Sequence, residues 1–511
     1  MSHLTIAPLL LPLLAGVLIL LLGERRLAAQ RALSLAAVAL SIPLALLLLS
    51  RAAQGEIAVY ALGNWPAPFG IVLVADRLSA FMLTITALLS AFALAHAVRG
   101  DDRLGPHFHV LFQLQLFGLN GAFLTGDLFN LFVFFEVLLL ASYGLVLHGG
   151  GRARTRAGLH YVVINLIGST LFLFAVGALY GVLGTLNMAD LAVKIATLPE
   201  AHTGVVRAAG LLLLVVFAIK AALLPLHMWL PGAYAGTSAG VAALFAIMTK
   251  VGAYSILRVY TLIFGADAVA GVQWLAEPWL LPLALATLAL GVGGALASRA
   301  LREQIAYLVL ASAGTLLVGF GLFSVEGISA GLYYLAHSTF AAAALFLLAD
   351  RIVLGRGAMA DRYEAGPPLP HPRLIGGVFF ALAVLIAGLP PLAGFFGKLA
   401  LLQAALASPA LVWIWAVVLI GGLLTVIALA RSGSLLFYRA HGVPQAQANN
   451  PLGDELSRLA PIFGLLALGL LLVVEGEAVL NYTRATAEQL LVPAPYIEAV
   501  LHPVATQEAR P

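Results

Sequence analysis

Apolar runs of about twenty residues, broken by short polar segments, repeat along the whole chain. A bilayer core needs about 20 apolar residues per spanning helix. The runs are continuous rather than alternating, which favours helices over an outer-membrane barrel. The pattern predicts an all-α polytopic membrane protein with about fourteen spans. They fall at about 4–22, 31–50, 77–98, 107–125, 128–147, 157–181, 207–235, 239–263, 274–297, 303–323, 327–349, 375–405, 411–436 and 457–479. Two of them, the seventh and twelfth, contain breakers. Pro225 and Pro231 interrupt "FAIKAALLPLHMWLP", and Pro390 and Pro391 interrupt "AGLPPLAGFFGKLALLQ". Proline removes a donor and clashes with the preceding turn. Irregular backbone at membrane depth is tolerated only where it is buried or lines a wet cavity. The two breaks lie five spans apart, so the broken spans run in opposite directions. That predicts two inverted five-helix repeats, spans 4–8 and 9–13.

The expected organisation is three N-terminal spans in 1–106, a first repeat in 107–263 and a second in 274–436. A last helix and tail occupy 437–511, with a polar connection at 437–456. Composition agrees: 62% of the 511 residues are hydrophobic and only 10% charged, with a mean hydropathy of +1.02. No cysteine is present, which excludes disulfides and cysteine-ligated clusters. The first run has no lysine or arginine before it and Arg25, Arg26 and Arg31 soon after it. It reads as a first helix with its N-terminus outside, not as a cleaved signal. With that orientation seventeen arginines fall on the inner side, Arg439 among them. Six basic residues, Arg510 included, fall outside. Both termini are then expected on the outer side.

The chemistry lies in the remaining charges. There are 23 arginines and four lysines, and Lys220, Lys250 and Lys398 lie inside spans. A charge at the bilayer centre costs about 3 kcal/mol on insertion scales. Lysine can give up its proton when desolvated, whereas arginine effectively cannot. Lys220 lies roughly 14 Å from the nearer end of its segment by helix rise, too deep to snorkel readily. Glu136 is the one carboxylate at mid-span and the natural partner of Lys220. The alternative for this pair is a static packing salt bridge. Asp127 opens the Glu136 helix and reads as an N-cap. His337, inside span eleven, is a relay candidate. His227, at the break, is an accessory candidate that could instead satisfy freed carbonyls. Arg258, near the outer end of span eight, reads as structural, and His107 and His109 receive no role. "GVGGAL" (291–296) reads as close helix packing. No phosphate loop and no metal-ligand spacing occurs, so no cofactor, metal or nucleic-acid partner is expected.

These residues resemble the antiporter-like membrane subunits shared by respiratory complex I, related hydrogenases and the Mrp cation/proton antiporters. The likeness covers roughly residues 70–440. It rests on "GDLFNLFVFFEVLLLASYGLVL", on "KAALLPLHMWLPGAYAGTSAGVAALFAIMTKVGAYSILR" and on "LREQIAYLVLASAGTLLVGF". Lysine at 398 and the wording around Glu136 look most like the D-type branch of Mrp-type Na+/H+ antiporters. The chain departs from many relatives at Ala341 and Ala342, where a lysine often follows the span-eleven histidine.

The resemblance implies a secondary transporter subunit, not an enzyme, in a bacterial inner membrane. Its partners would be subunits of A, B, C, E, F and G type, protons, the bilayer and Na+. It implies proton transfer along Glu136, Lys220, Lys250, His337 and Lys398. The alternative is a proton-pumping subunit of complex I or a related hydrogenase. A non-transporting scaffold would leave three intramembrane lysines unexplained.

Overall fold

The structure, a computed structural model, describes residues 3–438 and 451–502. Residues 439–450, which carry Arg439 and most of the expected polar connection, lie outside the described residues, as does Arg510. The chain opens with α1 (His3–Leu22) and α2 (Leu27–Ala53). A short antiparallel hairpin follows, β1 (Ala58–Ala61) on β2 (Val72–Ala75), with Ala58 opposite Ala75. The spans then run through α3 (Arg77–Ala97), α4 (Phe108–Leu124), α5 (Leu128–Leu147) and α6 (Arg152–Leu183). After the short α7 (Met188–Ala196) comes the first broken span, α8 (Glu200–Ala221) and α9 (Trp229–Gly236). Next are α10 (Ala239–Phe245), α11 (Met248–Leu262), α12 (Glu277–Ala297), α13 (Leu301–Phe320) and α14 (Val325–Arg356). The second broken span is α15 (Pro372–Ala387) and α16 (Ala393–Ala404), followed by α17 (Leu411–Gly433) and α18 (Leu452–Val474). The chain closes with α19 (Gly476–Leu491) and α20 (Ala494–Leu501).

Among the described residues twelve helices are long and apolar enough to cross a membrane. Phe108–Leu124, Pro372–Ala387 and Ala393–Ala407 are shorter apolar helices. The packing repeats itself. α4 lies on α5 as α12 lies on α13. α6 packs against both halves of the first broken span, and α14 against both halves of the second. α8 then meets α11, and α15 meets α17.

Every residue from Ala239 to Leu262 is buried. This segment, with α13 and α14, forms the centre of the bundle. Glycine lets α8 approach it: a Cβ on Gly252 would stand 2.4 Å from Ala221 N. The "GVGGAL" stretch is close packing as expected, since a Cβ on Gly291 would meet Ala311 N at 2.5 Å.

Four elements escaped the hydrophobic pattern: the hairpin, α7, α19 and α20. The last span also begins and ends earlier than expected. α18 stops at Val474, and the half-polar "GEAVLNYTRATAEQLL" turns back as α19 along α14 and α3. α20 reaches α7 and β1, and His3 meets the Tyr60 ring at 5.7 Å. The described ends of the chain therefore share one end of the bundle. Arg258 is structural there. Its Nη2 donates to Asp76 Oδ1 at 2.8 Å, and its guanidinium lies over the rings of Tyr254 and Tyr496. The opposite end holds most of the arginines and the buried Arg351–Glu455 pair, 2.8 Å apart.

Candidate functional site

The site begins at a polar face on α6. Asn165 and Ser169 are one helical turn apart in an otherwise apolar run, so they project the same way. Ser169 Oγ donates to Glu136 of α5. Lys220 Nζ donates to Asn165 Oδ1 at 3.0 Å and lies 5.8 Å from the centre of the Phe135 ring. Glu136 and Lys220 are thus linked through α6. Among the described residues they form no direct ion pair. Glu136 is half-buried, at the edge of a face that exposes Phe129, Val133 and Leu140.

The break after Lys220 follows local rules. α8 ends with Ala222 in the left-handed region at φ 57°. Around the break Ile219 O accepts from Ala222 N at 3.2 Å and also from Trp229 Nε1 at 2.9 Å, and Leu224 N, left over by the break, donates to Thr287 Oγ1 at 2.9 Å. The carbonyl-satisfying role that the sequence suggested for His227 is filled at Ile219 by Trp229 together with the Ala222 N–H. His227 Nδ1 is buried without a partner. Pro231 makes no second break. It falls in the first turn of α9, where a missing N–H costs nothing.

Lys250 is fully buried on α11, and its Nζ makes a long 3.5 Å contact with Ser312 Oγ of α13. Ser312 also lines a cavity of about 20 Å³ shared with Thr315, Tyr334, Thr425 and Lys398. That space holds about one water molecule, and its polar lining gives that water partners. Lys398 Nζ crosses from α16 to Ala387 O, 2.7 Å away, the last carbonyl of α15. His337 on α14 is 1% exposed, and neither ring nitrogen has a partner. Lys250 and Lys398 are the charged groups that bear on it. The first turn of α16 presses close, since a Cβ on Gly394 would come within 2.8 Å of His337 Nε2.

Lys220 and Lys398 occupy unmatched places in the sequence, one before its prolines and one after. In space they converge on the same feature. Lys220 sits in the last turn of α8, and Lys398 reaches back to the last turn of α15. Helix C-termini carry partial negative charge; Lys398 Nζ rests on that end of α15, whereas Lys220 belongs to the last turn of α8 but turns its Nζ to Asn165 of α6. Asp127 is the N-cap foreseen, accepting from Asn130 N at 2.8 Å. Asn165, Ser169 and Ser312 were missed. Their signal was small polar residues one turn apart, or alone, inside apolar runs.

The three lysines, Lys220 and Lys250 buried and Lys398 half-buried, all meet neutral oxygens: an amide, a hydroxyl and a carbonyl. An amine can donate to such acceptors whether or not it carries the extra proton. The contacts therefore survive proton loss, which a lysine–carboxylate pair would oppose.

Comparison with known proteins places the chain. The family described as NADH:quinone oxidoreductase/Mrp antiporter, TM, matches residues 125–426. A Rhizobium meliloti protein, named as the D component of a probable K(+)/H(+) antiporter, is 41% identical, over 98% of each chain. An Alkalihalophilus pseudofirmus protein, named as the D component of a Na(+)/H(+) antiporter, is 39% identical, over 98% of this chain and all of that one. A chain in the structure of the Mrp complex from Dietzia sp. superposes with a TM-score of 0.85 at 31% identity, covering 98% and 99% of the two chains.

Proposed function

This chain belongs to the NADH:quinone oxidoreductase/Mrp antiporter membrane family, and on that premise we propose that it is the proton-translocating subunit of a multisubunit monovalent cation/proton antiporter in a bacterial inner membrane. The observation that carries the proposal is the row of three lysines inside the spans, Lys220 and Lys250 buried and Lys398 half-buried, each held by a neutral acceptor. A proton loads Lys220 under the influence of Glu136, through Asn165 and Ser169. It passes to Lys250, then by way of Ser312, the small cavity and His337 to Lys398. Each transfer leaves the donor hydrogen-bonded, so no lysine becomes an unpartnered buried group.

Fourteen spans result when α4 counts as one and α15 with α16 as another. The units are then 1–106, 107–263, 274–436 and 437–511, with both termini outside. The exposed face beside Glu136 fits a neighbouring subunit, whose charge would alter Glu136. Relatives named for sodium and for potassium leave both ions to be tested.

The test uses everted vesicles from a host lacking its own antiporters, expressing this gene with its neighbouring operon. Sodium or potassium should collapse an imposed pH gradient. Lys220→Ala and Glu136→Ala, at equal membrane levels, should abolish the collapse. Exchange that survives both substitutions overturns the relay. No response to either cation in the wild type points instead to a redox-driven pump subunit.

A further inference from the structure

A second group of titratable residues lies at the arginine-rich end, apart from the lysine row. His96, in the last turn of α3, has Nε2 3.4 Å from Asp350 Oδ2 of α14. Its other nitrogen, Nδ1, is buried with no partner. Asp101, just beyond α3, accepts from Gly240 N at 2.8 Å through Oδ2. His96 and Asp350 both act on the Asp101 carboxylate. Ser238, 5% exposed, faces it with a hydroxyl that no other group satisfies. His148 Nε2, from the end of α5, contacts Asp101 O at 3.1 Å. Asp350 is the open side of the group, with 28% of its side chain exposed.

The neighbouring carboxylate sets the group apart. Asp102 is gripped by Arg31 of α2, at 2.5 and 2.8 Å, and by His109 Nε2 of α4 at 3.2 Å. Burial works against its charge, but these bonds outweigh burial and hold it down to about 2. Asp101 has no such grip. Burial pushes its carboxyl up, opposed mainly by His96 and the Gly240 N–H. Among the other nearby charges, Arg154 of α6 bonds to His148 O and Gly236 O, and Arg351 of α14 is taken by Glu455 of α18. Arg99, on the turn after α3, donates to Ser457 O. Two adjacent carboxylates driven apart by their surroundings mark one as structural and one as exchanging.

The position matches a route inward. Gly240 lies ten residues from Lys250 along α10 and α11, about 15 Å by helix rise. Asp350 lies thirteen residues from His337 along α14, about 20 Å. The same two segments thus carry this group at one end and relay residues at mid-depth. The intervening Val241–Ile247 and Ala341–Leu348 are apolar and buried, so protons would cross only when that stretch wets.

We propose that Asp350, His96 and Asp101 form the proton port through which the arginine-rich side exchanges protons with the lysine row. Asp350 takes a proton from water and passes it to His96 Nε2. Nδ1 has no direct partner, so the imidazolium then releases its Nδ1 proton by way of a bridging water to the Asp101 carboxylate, the charge on which His96 acts. The inference rests on the relay reading.

The test is the vesicle exchange assay over a pH series, on the full complex, with Asp101→Asn, His96→Gln and Asp350→Asn. In Asp101→Asn the new amide oxygen can still accept from Gly240 N. The port predicts a several-fold lower maximal rate and a displaced pH profile for each variant, at normal membrane levels. Profiles that overlay the wild type overturn the port while leaving the relay standing. Should the wild type itself fail to exchange, infrared titration of the purified complex decides. A protonated-carboxyl band lost in Asp101→Asn supports the port, and an unchanged band refutes it.

Discussion

Lys220 shows how little would separate a structural charge from the working one proposed. Its ammonium is held by an amide oxygen at 3.0 Å, and a charge-assisted bond of that kind contributes about 1.5–3 kcal/mol. Asn165→Leu should therefore lower exchange severely, with the subunit still present in membranes. Ser169→Ala should have a smaller effect, because it loosens Glu136 without touching Lys220. Wild-type rates in both variants, measured in the same vesicles, would remove α6 from the route. Asp102 obeys the opposite logic. Its folded value of about 2 lies below the ordinary carboxylate range near 4. Its contribution to stability is present above about pH 4 and is lost as pH falls toward 2. Asp102→Asn should cost on the order of 2 kcal/mol at neutral pH and almost nothing near pH 2. Thermal melting of the detergent-purified complex at both pH values checks the sign. Lys220, Glu136, Lys250, His337 and Lys398 could all be picked from the sequence, because ionisable residues inside apolar runs are conspicuous. Asn165, Ser169 and Ser312 could not, because a small polar residue on a membrane helix is common and only its neighbours give it meaning.

At the level of elements, the two broken spans are the decisive pieces. Prolines announce the breaks, but the repair comes from remote side chains. Trp229→Phe should remove one of the two donors to the Ile219 carbonyl at a cost of about 0.5–1.5 kcal/mol and lower the melting temperature of the complex. A Trp229→Phe complex as stable as wild type would mean that the Ala222 N–H alone satisfies the carbonyl. The contact of α8 with α11 is equally strict. Gly252→Val would drive a side chain into the Lys220–Ala221 backbone and should cost about 1–3 kcal/mol, with exchange reduced more than membrane level. The hydrophobic pattern located both broken spans. It passed over α7, α19, α20 and the hairpin because elements lying across a bundle end need no long apolar run.

For the whole molecule, sidedness and the repeat are the open geometry. The chain has no cysteine, so single cysteines report topology without background. Asn481→Cys on α19 should be labelled from outside intact cells, and Leu104→Cys only after permeabilisation. The reverse labelling would invert the proposed orientation and with it the direction of the port. Inversion of the repeats has a mechanical consequence. α8 and α15 run inward from opposite ends, so their free C-termini both stop at mid-depth. Each collects a lysine there, although the two lysines sit on opposite sides of their prolines in sequence.

The sequence by itself determined the class of the molecule. Only helices satisfy their own backbone in hydrocarbon, so apolar runs of span length dictate a helical membrane protein. The scarcity of charge within the runs makes the few buried ones stand out. The tertiary structure decided who meets whom. It placed α6 between Glu136 and Lys220, put Ser312 and a water-sized space between Lys250 and Lys398, and turned Trp229 onto the Ile219 carbonyl. Such pairings depend on helix rotation and close approach, which are set by packing between segments far apart in the chain and leave no periodic trace along it.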